Sequence, residues 1–234
     1  MKKRILILLC LLLIAGCLLP FSSCASGSQL LYSVTDGDRT FEIYGSDSRA
    51  SRIRVTDQDG NQLWQTKVKA KKSVGEQNGT YGFQILDLNF DGYNDLKIAV
   101  DASGEQLTEI CFLQDPKTGK YHRSDAFSGL YTVGVDPKQH AIFSFSHTRV
   151  DEEAIGDDPA TYTLTDTTTA YVWEDGKLVP YRRMSLIYYS ETDSYCYTVS
   201  DYSNVINDFL EGSDRWLSPK EYESTDFSLL YYFK

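Results

Sequence analysis

Asp87-Leu88-Asn89-Phe90-Asp91-Gly92-Tyr93-Asn94-Asp95-Leu96 stands between Phe83-Gln84-Ile85-Leu86 and Lys97-Ile98-Ala99-Val100. The apolar runs on either side read as strands, and the stretch between them as a tight loop. Oxygen-bearing side chains fall at loop positions 1, 3, 5 and 9 with Gly at position 6, the order in which a calcium loop presents its ligands. Gly92 allows the sharp turn because it takes a positive φ without a Cβ penalty. Asp87, Asn89, Asp91 and Asp95 are the candidate side-chain ligands, and Tyr93 at position 7 offers its carbonyl. Ile98 occupies position 12, where a bidentate Glu would close a twelve-residue loop, so Asp95 would have to close the shell instead. The alternative is a hairpin with a polar turn, since Asp, Asn and Gly are ordinary turn residues. Four oxygen donors at fixed offsets favour the calcium ion.

Outward from the loop the pattern is β throughout. Thr40 to Tyr44 and Ser51 to Val55 alternate, and Asp59-Gly60-Asn61 turns the chain into Gln62 to Gln65. Val55 to Leu63 looks like a degraded copy of the loop. It keeps Asp57, Asp59 and Gly60, but it has Val55 and Leu63 where the end ligands would stand, so a metal-free turn is expected there. Lys67 to Lys72 is the only dense basic run and reads as a solvated edge that blocks strand pairing. Gln77 to Thr80, Asp115 to Lys120, Asp136 to Gln139 and Glu174 to Lys177 are turns. Strands are expected at Leu107 to Gln114, His140 to His147, Thr161 to Trp173, Leu178 to Tyr181, Met184 to Tyr189 and Tyr195 to Ser200. Arg149 to Pro159 reads as an acidic loop, and Val205 to Leu210 as a helical piece. Ser218-Pro219-Lys220-Glu221 carries an N-cap Ser, Pro at N1 and Glu at N3 of a short helix. A strand closes the chain at Phe227 to Phe233. The fold class is all-β and mostly antiparallel, with short C-terminal helical pieces.

The amino terminus is a targeting signal. Met1-Lys2-Lys3-Arg4 precedes a nearly unbroken apolar run from Ile5 to Leu19. Two cysteines compete as a lipid-attachment site, Cys24 and Cys17. Cys24 is preferred because Ala25 to Ser28 follows as a flexible tether, whereas cleavage before Cys17 leaves an apolar new terminus. A plain secretory cut near Ala25 is the other option, and Gly16, Pro20 and the serines argue against a permanent membrane span. Residues 1–23 are then a lipoprotein-type signal peptide, 24–31 a tether, and 32–234 one β-rich calcium-binding domain. The setting is the outer face of a bacterial cytoplasmic membrane, or secretion. The chain of 234 residues has 33 Asp and Glu against 23 Lys and Arg, and three of its bases lie in the leader. Such acidity excludes a grip on nucleic-acid phosphates and suits metal cations or a cationic partner.

Catalytic signatures are missing. His122, His140 and His147 are scattered, and neither a Gly-x-Ser-x-Gly elbow nor a dinucleotide-binding glycine pattern occurs. Glu152-Glu153 and Asp157-Asp158 read as solvated loop. Trp64, Trp173 and Trp216 fit a carbohydrate platform, or the packed core that β proteins more commonly make of tryptophan. Cys111 and Cys196 are either a disulfide or two buried thiols.

The loop resembles the aspartate-rich calcium loops of FG-GAP and VCBS-type β-propeller repeats. Over residues 80 to 182 the chain is similar to a bacterial exported family built around one EF-hand-like loop. The shared features are the Asp87 to Asp95 core, the Asp115 to Lys120 turn, Val135-Asp136-Pro137, and Tyr171 to Leu178. The resemblance implies a small propeller-like stack of antiparallel sheets with Asp87, Asn89, Asp91, Tyr93 and Asp95 as the metal shell. Some relatives are described as inhibitors of vertebrate-type lysozyme, and the segment 184–234 has no counterpart in the family. The expectation is therefore an exported, lipid-anchored, non-enzymatic binding module with structural Ca2+. Its partner would be a cationic protein or an envelope glycan. The alternatives are an inhibitor of a cationic wall-degrading enzyme and an envelope hydrolase.

Overall fold

The structure, a computed structural model, describes residues 28–71, 82–104, 106–152 and 161–225. The leader with Cys17 and Cys24, the turn at 77–80, the acidic residues 153–158 and the closing strand expected at 227–233 lie outside the described residues. As expected, the chain is all-β and mostly antiparallel. Its strands make three sheets, without a closed ring of blades among the described residues.

The first sheet is a meander of β1 (Gln29–Asp36), β2 (Arg39–Ser46), β3 (Arg49–Thr56) and β4 (Gln62–Lys67). Its hairpins follow turn chemistry. Asp47 and Ser48 both take positive φ, 48° and 58°, as a two-residue turn between twisted strands requires. The degraded loop copy is the β3–β4 turn, where the Asp57 carboxylate accepts from the N–H groups of Asp59 and Asn61 at 3.0 and 2.7 Å. Only Lys67 of the basic run lies on β4, an edge strand. Beyond it Val68 is buried and Lys71 N donates to Val100 O, tying the first sheet to the second.

The second sheet is another four-stranded meander: β5 (Phe83–Leu86), β6 (Asp95–Ser103), β7 (Gln106–Gln114) and β8 (Tyr121–Arg123). It is the middle layer. Phe83, Leu96, Ile98 and Phe112 face Phe41, Ile43, Ile53 and Val55 of the first sheet in one apolar cluster. On the opposite side Leu88 and Cys111 pack with Phe127, Val133 and Ile142 in a second cluster. Residues 95–100 of β6 are therefore all buried, which explains why this strand lacks alternation.

A segment with a 3-10 turn at Asp125–Phe127 crosses this second side and leads into the third sheet. That sheet runs β14 (Asp208–Phe209), β13 (Ser194–Ser203), β12 (Lys177–Tyr189), β11 (Thr161–Glu174), β10 (Ala141–Glu152), β9 (Gly134–Asp136), with β15 (Ser213–Leu217) also on β13. Its long strands have two characters. Thr163, Thr165, Thr167 and Thr169 share one face of β11, while the other face carries Leu164 beside Tyr188, paired in turn with Tyr195. The helix α1 (Pro219–Ser224) starts at the expected capping box, with Ser218 Oγ accepting from Glu221 N, and its Tyr222 stacks on Tyr195 at 4.1 Å. Pro180 is accommodated in β12 by a bulge: Tyr171 pairs with Pro180 and Ala170 with Arg182, leaving Tyr181 between them.

Three expectations need correction. Val205 to Leu210 is not helical: 204–207 is a turn and Asp208–Phe209 is strand β14. Val205 and Ile206 are exposed and offer no face for a helix to bury, whereas Phe209 finds Tyr202 and the Arg183 guanidinium in the extended conformation. Arg149 to Glu152 continue β10, because β11 opposite supplies pairing as far as Thr161. Leu178 to Tyr189 is one strand rather than two. Cys111 and Cys196 are both buried free thiols, on β7 and β13, and burial pushes the Cys111 thiol up to about 12.

Candidate metal centre

Leu86 pairs with Asp95, so residues 87–94 close the β5–β6 hairpin. Gly92 takes φ 86° at the sharp turn. The side-chain oxygens expected as ligands turn inward on the loop's own N–H groups. Asp87 accepts from Asp91 N at 3.2 Å and from Gly92 N at 2.8 Å. Asn89 Oδ1 accepts from the same Asp91 N at 3.3 Å, and Asn89 Nδ2 donates to Asp91 Oδ2 at 2.9 Å. Asp91 Oδ1 accepts from Tyr93 N at 2.9 Å. Positions 1, 3 and 5 are thus brought together around one turn of backbone.

Asp95 behaves differently. It is fully buried, with Oδ2 accepting from Leu88 N at 2.8 Å and Oδ1 from Gln114 N at 2.7 Å. Burial pushes its carboxyl up to about 6. The Gln114 and Leu88 N–H groups pull against this, and the charges of Asp91 and Asp87 push with it. None of the ion pairs among the described residues includes Asp87, Asp91 or Asp95. Nor, among those residues, are three or more His, Cys, Asp or Glu side chains gathered as a metal-holding group. The donor set includes an amide and a backbone carbonyl, and Asp95 is drawn back toward β7.

The loop is also where the three sheets meet. Asn94 Nδ2 donates to Asp36 of β1 at 2.6 Å, and Asp95 holds β7. Trp173 Nε1 of β11 donates to Leu88 O at 2.6 Å, and the Phe90 ring stacks on His140 at 5.0 Å. Leu88 itself is fully buried in the second cluster. Replacing Trp173 with Phe keeps most of the ring packing but strands the Leu88 carbonyl. It is expected to cost about 1–2 kcal/mol in urea unfolding.

The remaining candidates do not converge. His147 Nδ1 lies 2.6 Å from Asp166 Oδ1 at a half-exposed site, and His122 is exposed on β8. Trp64 packs on Phe112 and Tyr121, and Trp173 on Phe127, while Trp216 is 59% exposed beside Tyr189. The three tryptophans are therefore no common platform. Sequence reading missed the buried pair Lys97–Glu109, whose Nζ–Oε1 distance is 3.0 Å. Lys97 also donates to Val133 O and Glu109 accepts from Val133 N, so the pair clips the crossing segment onto β6 and β7. The available signal was a charged residue inside each of two apolar strand runs. Among the described residues, no helix is long and apolar enough to cross a membrane.

No family model and no curated protein matches the chain. Among solved structures, a protein described as a Xanthomonas type IV secretion system related protein is similar to it. The TM-score is 0.50 at 12% identity, over 80% of this chain and 97% of that one. At this identity the likeness concerns the fold alone.

Proposed function

We propose that this chain is an exported, lipid-anchored, non-enzymatic binding module of the bacterial envelope, braced by a calcium ion in the Asp87–Asp95 loop. The observation that carries this reading is a cluster of carboxylates at the junction of three sheets that forms no ion pair among the described residues. Hydrogen bonds gather Asp87 and Asp91 with Asn89 beside a buried Asp95, and among the described residues none of these carboxylates is in an ion pair. The donors are hard oxygens, which suit calcium in preference to softer transition metals. Asp87, Asn89, Asp91, Asp95 and the Tyr93 carbonyl would hold the ion, each carboxylate oxygen keeping a second lone pair beyond its N–H bond. The ion would supply charge neutralisation, and the loop would stiffen against Asp36, Gln114 and Trp173. Cys24 is the preferred anchor, with Cys17 as the alternative. The partner class is a cationic protein or an envelope glycan.

Thermal melting tests the brace. Calcium at about ten times its dissociation constant is expected to add about 1.4 kcal/mol to stability. That corresponds to a rise of about 3–6 °C in Tm for a domain of this size. Asp91→Ala is expected to abolish the response. A wild-type midpoint that ignores both calcium and chelator removes the calcium reading.

A further inference from the structure

A groove runs beside the loop, divided by the Phe90–His140 stack. Its first half, about 420 Å³, has an apolar floor of Leu86, Val135 and Pro137, with Asp87 and His140 as polar groups. Its second half, about 310 Å³, is lined by Asn89, Gln139, Val172 and Trp173. Phe90 and His140 line both. Each half falls at the lower end of the size range of small-ligand sites. Phe90 and His140 both sit at positive φ, 60° and 49°. Non-glycine residues rarely adopt that conformation, and the two rings stack with an interplanar angle of 11°.

We propose that this groove binds a neutral sugar, one pyranose ring on each side of the stack. The proposal rests on the binding-module reading only in that the Asp87–Asp95 loop supplies one wall. A pyranose presents an apolar C–H face and a rim of hydroxyls. Phe90, His140 and Trp173 offer aromatic surface to the first, and Asp87, Asn89 and Gln139 offer planar donors and acceptors to the second. Asn89 Oδ1 accepts from Asp91 N and one Nδ2 hydrogen goes to Asp91, so with the ion on Oδ1 the second Nδ2 hydrogen is left for a sugar hydroxyl. Charge decides against the competing classes. Among the described residues neither half is lined by Lys or Arg, so neither offers a phosphate or carboxylate a cationic side chain. An acyl chain would bury Asp87, Asn89 and Gln139 against methylenes, which costs their hydration without return. A neutral polyol ring satisfies both kinds of wall.

The test is saturation-transfer NMR on the calcium-loaded full chain. The probes are N-acetylglucosamine, its β-1,4-linked disaccharide, and octanoate as counter-probe. Transfer to both sugars is expected, with the disaccharide bound more tightly. Gln139→Ala, a change in an exposed turn, is expected to weaken sugar binding about 3- to 10-fold, the equivalent of one lost hydrogen bond. His140→Ala, which removes half of the stack, is expected to weaken it further. No transfer to either sugar from protein whose melting still responds to calcium overturns the groove and leaves the calcium brace standing. Preference for octanoate, or affinity unchanged in both variants, overturns it equally. Sugar binding by protein whose melting ignores calcium keeps the groove and removes only the brace.

Discussion

Glu109→Leu is expected to lower stability by about 3–5 kcal/mol, the usual consequence of stranding a buried charge. The Lys97 and Glu109 side chains are 7% and 3% exposed and lie on adjacent strands of the middle sheet. Removing the carboxylate leaves the Lys97 ammonium, among the described residues, with the Val133 carbonyl alone, in a layer covered on both sides. The double variant Lys97→Met, Glu109→Leu removes both charges and is expected to recover part of the loss. It does not recover all of it, because the Val133 N–H and C=O, in a residue 3% exposed, lose their partners. Guanidinium unfolding of wild type, single and double variants measures the three values. A double variant no more stable than the single one would show that the crossing segment, and not the charge, sets the cost.

In chelator, the protein is expected to gain about 2–3 kcal/mol between pH 7 and pH 4 from Asp95 alone. Its carboxyl titrates near 6 in the folded chain, above the ordinary carboxylate range. Between about pH 4 and pH 6 the folded state therefore binds more protons than the unfolded state, and stability falls as pH rises through this window. Asp57, Asp115 and Glu221 are held low by hydrogen bonds, from Asn61, Lys117 and Ser218 respectively. Their stabilising contributions are lost from the ordinary carboxylate range downward, opposite in sign to that of Asp95, so the upper part of the window, near pH 6, belongs to Asp95. Asp95→Asn is expected to flatten the slope while giving up the bonds from Leu88 N or Gln114 N. Bound calcium is expected to flatten it too, since the ion favours the charged form. Urea midpoints at several pH values, with chelator and with calcium, provide the check. A midpoint that rises from pH 4 to pH 6 in chelator contradicts the sign.

The strands and turns were legible because their causes are local. Alternation, Asp59-Gly60-Asn61 and the Ser218 capping box each need only neighbours in the chain, and each appears where it was read. Val205 to Leu210 misled because an apolar cluster without a partner surface carries no period of its own. The reach of β10 through Glu152 was invisible because a strand extends as far as its neighbour pairs, and that neighbour begins at Thr161.

For the site, the order of Asp87, Asn89, Asp91 and Asp95 was plain from spacing, and so was the glycine that lets the loop turn. Only the tertiary structure decided that Asp95 lies buried between Leu88 N and Gln114 N, that Asn94 reaches Asp36, and that Trp173 holds the Leu88 carbonyl from 85 residues away. It also decided that Phe90 and His140 stack where two cavities share them as lining, and that Lys97 meets Glu109. Spacing along a chain records what a hairpin can place within itself. Which charges lose their water, and which distant groups answer them, follows from how the sheets stack.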